Sequence, residues 1–529
     1  MFNTKTKFKV KFLSFFLVFI CLVAGFIFAY LVNDLNIVNK KSFNIDLKTS
    51  ATYNATLYID DSPGSLFNWT WAKDQGYCTG GGTSSNPYVI QNHLINITDT
   101  FCLIIYNSRK YFRVTNCIMR STTLPAYGIA LVNTTNGLLD KNDIRSLTYG
   151  INIVNCSYTT IKENDISLCT FGINIINAKF LTITSNSVRR SVNNAVALTN
   201  ARGSSISGNS VYNNTNNGIQ LVSSNDNSLL SNNIHDNTNG IYLQSSSEFN
   251  TISSNILNHN SIRGIYVNGC HNNTISKNTV NNNALEGIWC TGSSDLTISQ
   301  NTAYNNSLYG IRLNSGVRIT CSSNTVSYNH DFGIRIFSCD DSVIQNNYVH
   351  HNARSGIYIY SSSIRNIIKS NIANYNNESG IFISSNSDNN LITANSANYN
   401  EQHGIYLSNS DSCVILDNTA NNNKVNGINL ETSNNNFVSY NTANYNNNGI
   451  YLDTSNNNFI LYNNLASNIV CYNETGSIGN IFEGNTCIAI APPMDPFIFG
   501  LIIGLVIAGG AFGIAIGATL FIRKKKRKG

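Results

Sequence analysis

The residues best equipped for chemistry in this chain fall at fixed intervals. Tyr242, Tyr266, Trp289, Arg312, Arg335, Tyr358, Phe382 and Tyr406 stand 23 or 24 residues apart, each two positions after a glycine or its equivalent. A chain that coils once per interval sets them in one outward column, with Asn429 and Tyr451 continuing it and Phe337 and Tyr360 beside it. Aromatic rings in such a column form a platform on which sugar rings stack, and paired arginines hold carboxylate or sulfate groups bidentately. These eight residues are the expected ligand-binding set. The competing reading is that aromatic side chains simply favour strands.

Acidic residues fall over the same coils. Asp331, Arg354 and Glu378 share the position two before the glycine, and Arg263 and Glu286 share the next. Two readings follow. The first is a surface ladder of ion pairs, each worth little. The second is a catalytic groove in which Glu286 or Asp331 acts as base beside Arg312 and Arg335. Hydrolysis of glycosides requires two suitably spaced carboxylates, and the only adjacent acidic pair in the repeats, Asp340-Asp341, falls at a turn. His235 and His259 share a column on neighbouring coils, with His350 and His351 further along. Two imidazoles without a third ligand make a poor zinc site, and no Met or Cys cluster suits copper. No metal site and no cofactor is predicted.

The element that must position these residues is a repeat. Gly-Ile-x-(Leu/Ile/Val) recurs from Gly128 through Gly264 and Gly356 to Gly449 in steps of 22 to 24 residues, with Ala195 replacing Gly once. Such a period signals a solenoid in which each unit buries its apolar face against its neighbours. In Gly264-Ile265-Tyr266-Val267 the apolar residues alternate, which is strand periodicity. Thr274-Ile275-Ser276 and Thr279-Val280 supply two further short strands per coil. Three strands and no helix per turn describe a parallel β-helix of about sixteen coils stacked roughly 4.8 Å apart.

Interior columns are expected along Ile265, Ile288, Ile311, Ile334, Ile357, Ile381 and Ile405, and along Val267, Cys290, Leu313, Ile336, Ile359, Ile383 and Leu407. Asparagine, roughly one residue in six, is abnormally common. It is phased: one ladder runs from Asn142 through Asn278 to Asn463, and another from Asn260 to Asn423 lies four residues before each glycine. Asn tolerates left-handed bends, and stacked amides bond from coil to coil.

With 42% hydrophobic and 12% charged residues the chain is too apolar for disorder. Residues 12–32 form an apolar run preceded by Lys5, Lys7, Lys9 and Lys11, and residues 497–522 form a second, followed by Arg523 to Lys528. Both runs are long enough to span a bilayer, and the positive flanks keep both termini cytoplasmic. The chain therefore divides into a basic tail (1–11), a signal anchor (12–32), an N-terminal cap (33–87), the repeats (88–490), a linker (491–496), a transmembrane helix (497–522) and a basic tail (523–529). A cleaved signal peptide is the alternative for 12–32. The tails hold ten basic residues and no acid, leaving −4 on the rest of a chain of net charge +6. The basicity reflects topology, not nucleic acid. Gly500/Gly504 and Gly509/Gly513/Gly517 have the G-x-x-x-G spacing of pairing helices, in a setting where glycine is common anyway. Cys290 and Cys321 replace core aliphatics and are expected as buried thiols. Cys78, Cys102, Cys117, Cys471 and Cys487 are the candidates for bridges. About ten N-x-S/T sequons, including Asn54 and Asn272, are candidates for glycosylation.

The unit Asn-x-x-x-x-Asn-Asn…Gly-Ile-x-Leu…Ser…Asn-x-Ile-x-x-Asn resembles the right-handed β-helix repeat of NosD-type and carbohydrate-binding or sugar-hydrolase proteins over about residues 88–490. The phrase from Gly80 to Ile90 is similar to the lead-in of archaeal surface β-helix proteins. The resemblance implies an all-β, right-handed, single-stranded parallel β-helix, here flanked by two transmembrane helices. It leaves three functions open. The first is a non-catalytic surface module that binds polysaccharide or glycoprotein, or acts structurally. The second is a membrane-tethered polysaccharide lyase or glycoside hydrolase. The third is a NosD-like copper accessory protein. Asp340-Asp341 is similar to the paired acids of polygalacturonase-like hydrolases, whose His-Gly and Arg-x-Lys motifs are missing here.

Overall fold

A computed structural model describes residues 51–487. The two apolar runs and basic tails lie outside the described residues. Among those described, no helix is long and apolar enough to cross a membrane. The chain winds into a right-handed parallel β-solenoid of about 17 turns with three sheets. Each turn contributes one strand to each sheet, as in Arg263–Asn268, Thr274–Ser276 and Thr279–Asn281. The first sheet begins at Ala51–Tyr53 and has 14 strands, then continues to Thr486 through single bridges. The second sheet runs from Leu57–Asp60 to Val470–Thr475, and the third from Tyr88–Gln91 to Ile481–Glu483.

The register follows the repeat. Ile265 pairs with Ile288, Ile288 with Ile311 and Ile311 with Ile334, and Val267, Cys290 and Leu313 stack in the next interior column. These side chains are fully enclosed. A coil is stable only because its neighbours complete this core, so stability is nearest-neighbour in character.

The bends explain the ladder asparagines, and not through tolerance of their own backbone, although asparagines outside those ladders, such as Asn133, Asn155 and Asn177 (φ 53°), do take left-handed angles. The left-handed residue is the one before each ladder Asn and is of almost any type: Lys277 (φ 57°), Gln300 (φ 58°) and Ala394 (φ 55°) occupy it. That residue turns the next backbone N–H into the core, where no carbonyl waits. The side chain of the following coil supplies the acceptor. The Asn278 amide N–H donates to Asn301 Oδ1 (3.0 Å), and Asn278 Nδ2 donates to Asn301 Oδ1 (3.0 Å) and to the Ile252 carbonyl (2.9 Å). Asn is required because it alone presents an amide acceptor and two amide donors on so short a stem. The ladder from Asn260 does the same at the other bend.

Within the first turn, between Leu57–Asp60 and Tyr88–Gln91, the short helix Trp69–Asp74 is capped by Asn68, whose side chain accepts from the Trp71 N–H. Trp69 stacks on Tyr88 at 4.7 Å, and its Nε1 donates to Ser108 Oγ (2.8 Å). At the other end Cys471 and Cys487 form a disulfide. Cys78, Cys102 and Cys117 are not bridged. They fill interior positions as free thiols, as Cys290 and Cys321 do. Burial pushes the Cys102 and Cys321 thiols up to about 12, so neither is a thiolate at neutral pH.

Candidate functional site

Strand pairing carries the outward column through consecutive coils: Tyr242 opposite Tyr266, Trp289 opposite Arg312, Arg312 opposite Arg335, Tyr358 opposite Phe382, and Phe382 opposite Tyr406. All of these side chains lie on the outer face of the second sheet and are half-buried. The expected platform for sugar rings changes character. Tyr242 and Tyr266 stack at 4.7 Å and 4°, Tyr266 and Trp289 at 4.8 Å and 16°, and Phe382 and Tyr406 at 4.5 Å and 5°. Rings one coil apart cover each other's faces because the stacking distance of rings matches the spacing of strands. Ring edges, not faces, are left toward solvent, and two of the hydroxyls are occupied within the protein: Tyr358 bonds Ser384 Oγ (3.1 Å) and Tyr406 donates to Glu431.

Charge is sorted within this face. Glu286 is 1% exposed, a correction to its expected place on an open surface ladder. Its two oxygens are taken by Arg263 Nε (2.9 Å) and Arg312 Nη1 (2.8 Å). The position directly before the glycine turns toward the bend, so the carboxylate sinks between two coils. Held as a counter-ion to two guanidinium groups, it is poorly suited to the proton transfer expected of a base. The same arginines clasp Trp289, with guanidinium carbons 4.2 and 4.5 Å from its ring centre. The outer charges do form a ladder: Arg354 lies between Glu378 (3.0 Å) and Asp331 (3.8 Å).

Arg335 differs from its neighbours. Among the described residues no carboxylate lies within ion-pairing distance of it, and its Nε is enclosed without a hydrogen-bond partner. The guanidinium sits between the rings of Tyr309 and Tyr360, 4.7 Å from each. Burial makes its proton easier to lose than usual, with the Tyr309 hydroxyl and, more weakly, the Asp331 carboxylate opposing that shift. On the same coil, burial raises the Asp331 carboxyl above the ordinary carboxylate range against the pull of Arg354, and its Oδ1 also lacks a hydrogen bond. Trp289 Nε1 and His403 Nδ1 are also enclosed without a partner, but only here do an incompletely satisfied cation and carboxyl group share one coil, a place prepared for a further polar partner. Tyr309 is not evident as a site residue from the outward column alone. Its signal is position, one residue before Gly310 and so in the column of Glu286 and Phe332.

Other candidates separate. Asp341 is bound by Arg365 Nε (2.7 Å) and Asp340 lies 3.7 Å from the same arginine, so the acidic pair is a structural anchor. His235 and His259 are not in one column: His235 pairs with Asn258, because the coil between Gly240 and Gly264 is one of the longer ones. Among the described residues no three His, Cys, Asp or Glu side chains converge as metal ligands.

The fold and this face together define a right-handed parallel β-helix with a charged, aromatic outer face on one sheet. The chain belongs to the right-handed β-helix family, whose model matches residues 55–210, 127–269 and 250–397. The model described as periplasmic copper-binding protein (NosD) matches residues 354–489. That segment holds one histidine, His403, and no methionine. Its cysteines are the buried Cys413 and the bridged Cys471 and Cys487. These residues do not fit a copper centre. Similar solved structures include a mannuronan C-5 epimerase A-module from Azotobacter vinelandii (13% identity, 70% of this chain and 90% of that one, TM-score 0.33). A periplasmic alginate epimerase (12%, 70% and 85%, 0.32) and a pectate lyase (14%, 46% and 76%, 0.27) are others. No curated relative matches the chain.

Proposed function

We propose that this protein is a membrane-anchored, extracellular β-helix that binds acidic glycans across the outer face of its second sheet, with Arg335 as the anion-recognising group. The observation that carries the reading is the Arg335 guanidinium, half-buried between Tyr309 and Tyr360 with no carboxylate partner. A buried cation is costly unless something pairs with it. A uronate carboxylate or a sulfate ester would supply that partner by bidentate hydrogen bonds, while the Tyr242 and Tyr266 hydroxyls of the same column meet sugar hydroxyls. The basic flanks of both apolar runs support an exported repeat domain with cytoplasmic termini.

The test is titration of the full chain with oligouronates, sulfated oligosaccharides and neutral glucans. Binding of an acidic class that is lost in Arg335→Gln supports the reading. Equal binding of neutral and acidic chains, or an unchanged affinity in the variant, refutes it.

A second reading rests on Asp331. A carboxyl group with a raised proton affinity beside an unpaired arginine suits proton transfer to or from an acidic sugar. In that case the same face belongs to a polysaccharide lyase or hydrolase. Product release from polyuronates that disappears in Asp331→Asn, with binding retained, would establish it.

A further inference from the structure

The outer face of the third sheet changes character part-way along the rod. Its first outward column holds Thr251, Thr274, Thr297 and Thr320, then switches to Val343, Ile367 and Leu391. It continues through Val414, Phe437 and Phe459 to Ile481 without a polar residue. Threonine meets the backbone preference of a strand as well as valine does, so strand propensity does not account for the switch. The apolar residues are not covered: Ile367, Phe437, Phe459 and Ile481 are 37 to 46% exposed. Tyr440 and Tyr462 stack at 5.4 Å along the same edge and are more exposed still. A contiguous apolar stripe of this kind marks an interaction surface.

We propose that this stripe is a self-association surface, and that its occupant is a second copy of the same chain. Three features favour that partner. First, the stripe is straight, since its residues are direct register partners on successive strands. A two-fold axis parallel to the rod and running along the column sets each residue against its own copy. Second, the column carries no charge, whereas a surface that lay on lipid headgroups would be expected to carry basic residues along it. Seven rungs at about 4.8 Å extend roughly 29 Å, and with the flanking tyrosines the face covers on the order of 600 Å² per copy, the lower bound of a specific interface. Third, the stripe reaches Ile481, sixteen residues before the apolar run at 497, where the glycines from Gly500 to Gly517 have the spacing of pairing helices. Two copies sharing one membrane would hold their rods parallel, as this axis requires.

The experiment measures the mass of the full chain in mild detergent across concentration, for wild type and for the double variant Phe437→Ser with Phe459→Ser. Both side chains point outward, so circular dichroism should confirm an intact fold. A dimer is expected for wild type near 10 μM, and the variant is expected to dissociate at least about 100-fold more readily from the loss of two buried aromatic rings. Oxidation of Phe459→Cys should give a covalent dimer, and Thr279→Cys on the first sheet should not. The proposal is overturned by a monomeric wild type, by a variant that dimerises as tightly as wild type, or by docking of monomers onto lipid vesicles through the same two phenylalanines. None of these outcomes bears on the Arg335 face, which lies on a different sheet.

Discussion

Replacing Arg335 with methionine is expected to stabilise the rod while removing its affinity for acidic ligands. The Nε of Arg335 is an enclosed donor without a partner, and relieving one such group is worth about 1–3 kcal/mol. Two ring contacts at 4.7 Å are lost, about 0.5–1 kcal/mol each at a half-exposed site. Thioether contacts with the same rings return about 0.3–1.5 kcal/mol. The balance is a gain of about 1 kcal/mol in stability. Glu286→Gln is the mirror case. It removes the buried charge held at 2.9 and 2.8 Å by Arg263 and Arg312, and leaving those arginines uncompensated is expected to cost about 3 kcal/mol. Denaturant unfolding followed by circular dichroism, at one salt concentration, measures both. In parallel, Arg335→Met is expected to weaken binding of an acidic oligosaccharide about 10- to 150-fold, the value of a charge-assisted contact. A destabilised Arg335→Met together with a neutral Glu286→Gln would refute the reasoning, because the charges would then not be partitioned as described.

Asn301→Ala removes a fully buried side chain that accepts from Asn278 twice and donates to the Ile275 carbonyl and to Asn324. It is expected to cost about 3 kcal/mol or more, whereas Gln300→Ser, at the adjacent left-handed position, stays within about 0.5 kcal/mol. Paired denaturation curves decide between them. Burial pulls the His403 imidazole from its ordinary 6.5 down to about 4, so the unfolded chain binds this proton more readily than the folded one. Its contribution to stability is complete above about pH 6.5 and declines as pH falls toward about 4. A pH series of unfolding midpoints should show that component disappear in His403→Gln. Reduction of the Cys471–Cys487 bridge, which closes a separation of 16 residues, is expected to release about 3 kcal/mol of constraint locally. Hydrogen exchange should show Val470–Glu483 opening while the central coils stay protected.

Much of the fold was legible because a solenoid converts sequence period into spatial contact. The interior isoleucine and valine columns, the outward series from Tyr242 to Tyr406 and both asparagine ladders lie where a 22 to 24-residue coil puts them. The departures have local causes. His235 and His259 fell out of register where one coil is longer. At the two ladder bends the left-handed residue is the one before the asparagine, because the fold needs the amide inside the core more than it needs a tolerant residue at the bend. Cys102 and Cys117 looked free to bridge only while their direction, into the core, was unknown.

The candidate site was legible as a column but not as chemistry. From the sequence alone, Glu286 and Asp331 are equivalent acids one position apart relative to the glycine, and Arg312 and Arg335 are equivalent bases on successive coils. Coil length and strand alternation determine which residues are neighbours, so the rod, its core and its outward stripes were settled by sequence. Which neighbours satisfy one another depends on the depth of each side chain at the bend and on the direction of each guanidinium. Only the tertiary structure buried Glu286 between two arginines, turned the ring faces against each other, and left Arg335 between two tyrosines with no carboxylate among the described residues within ion-pairing distance.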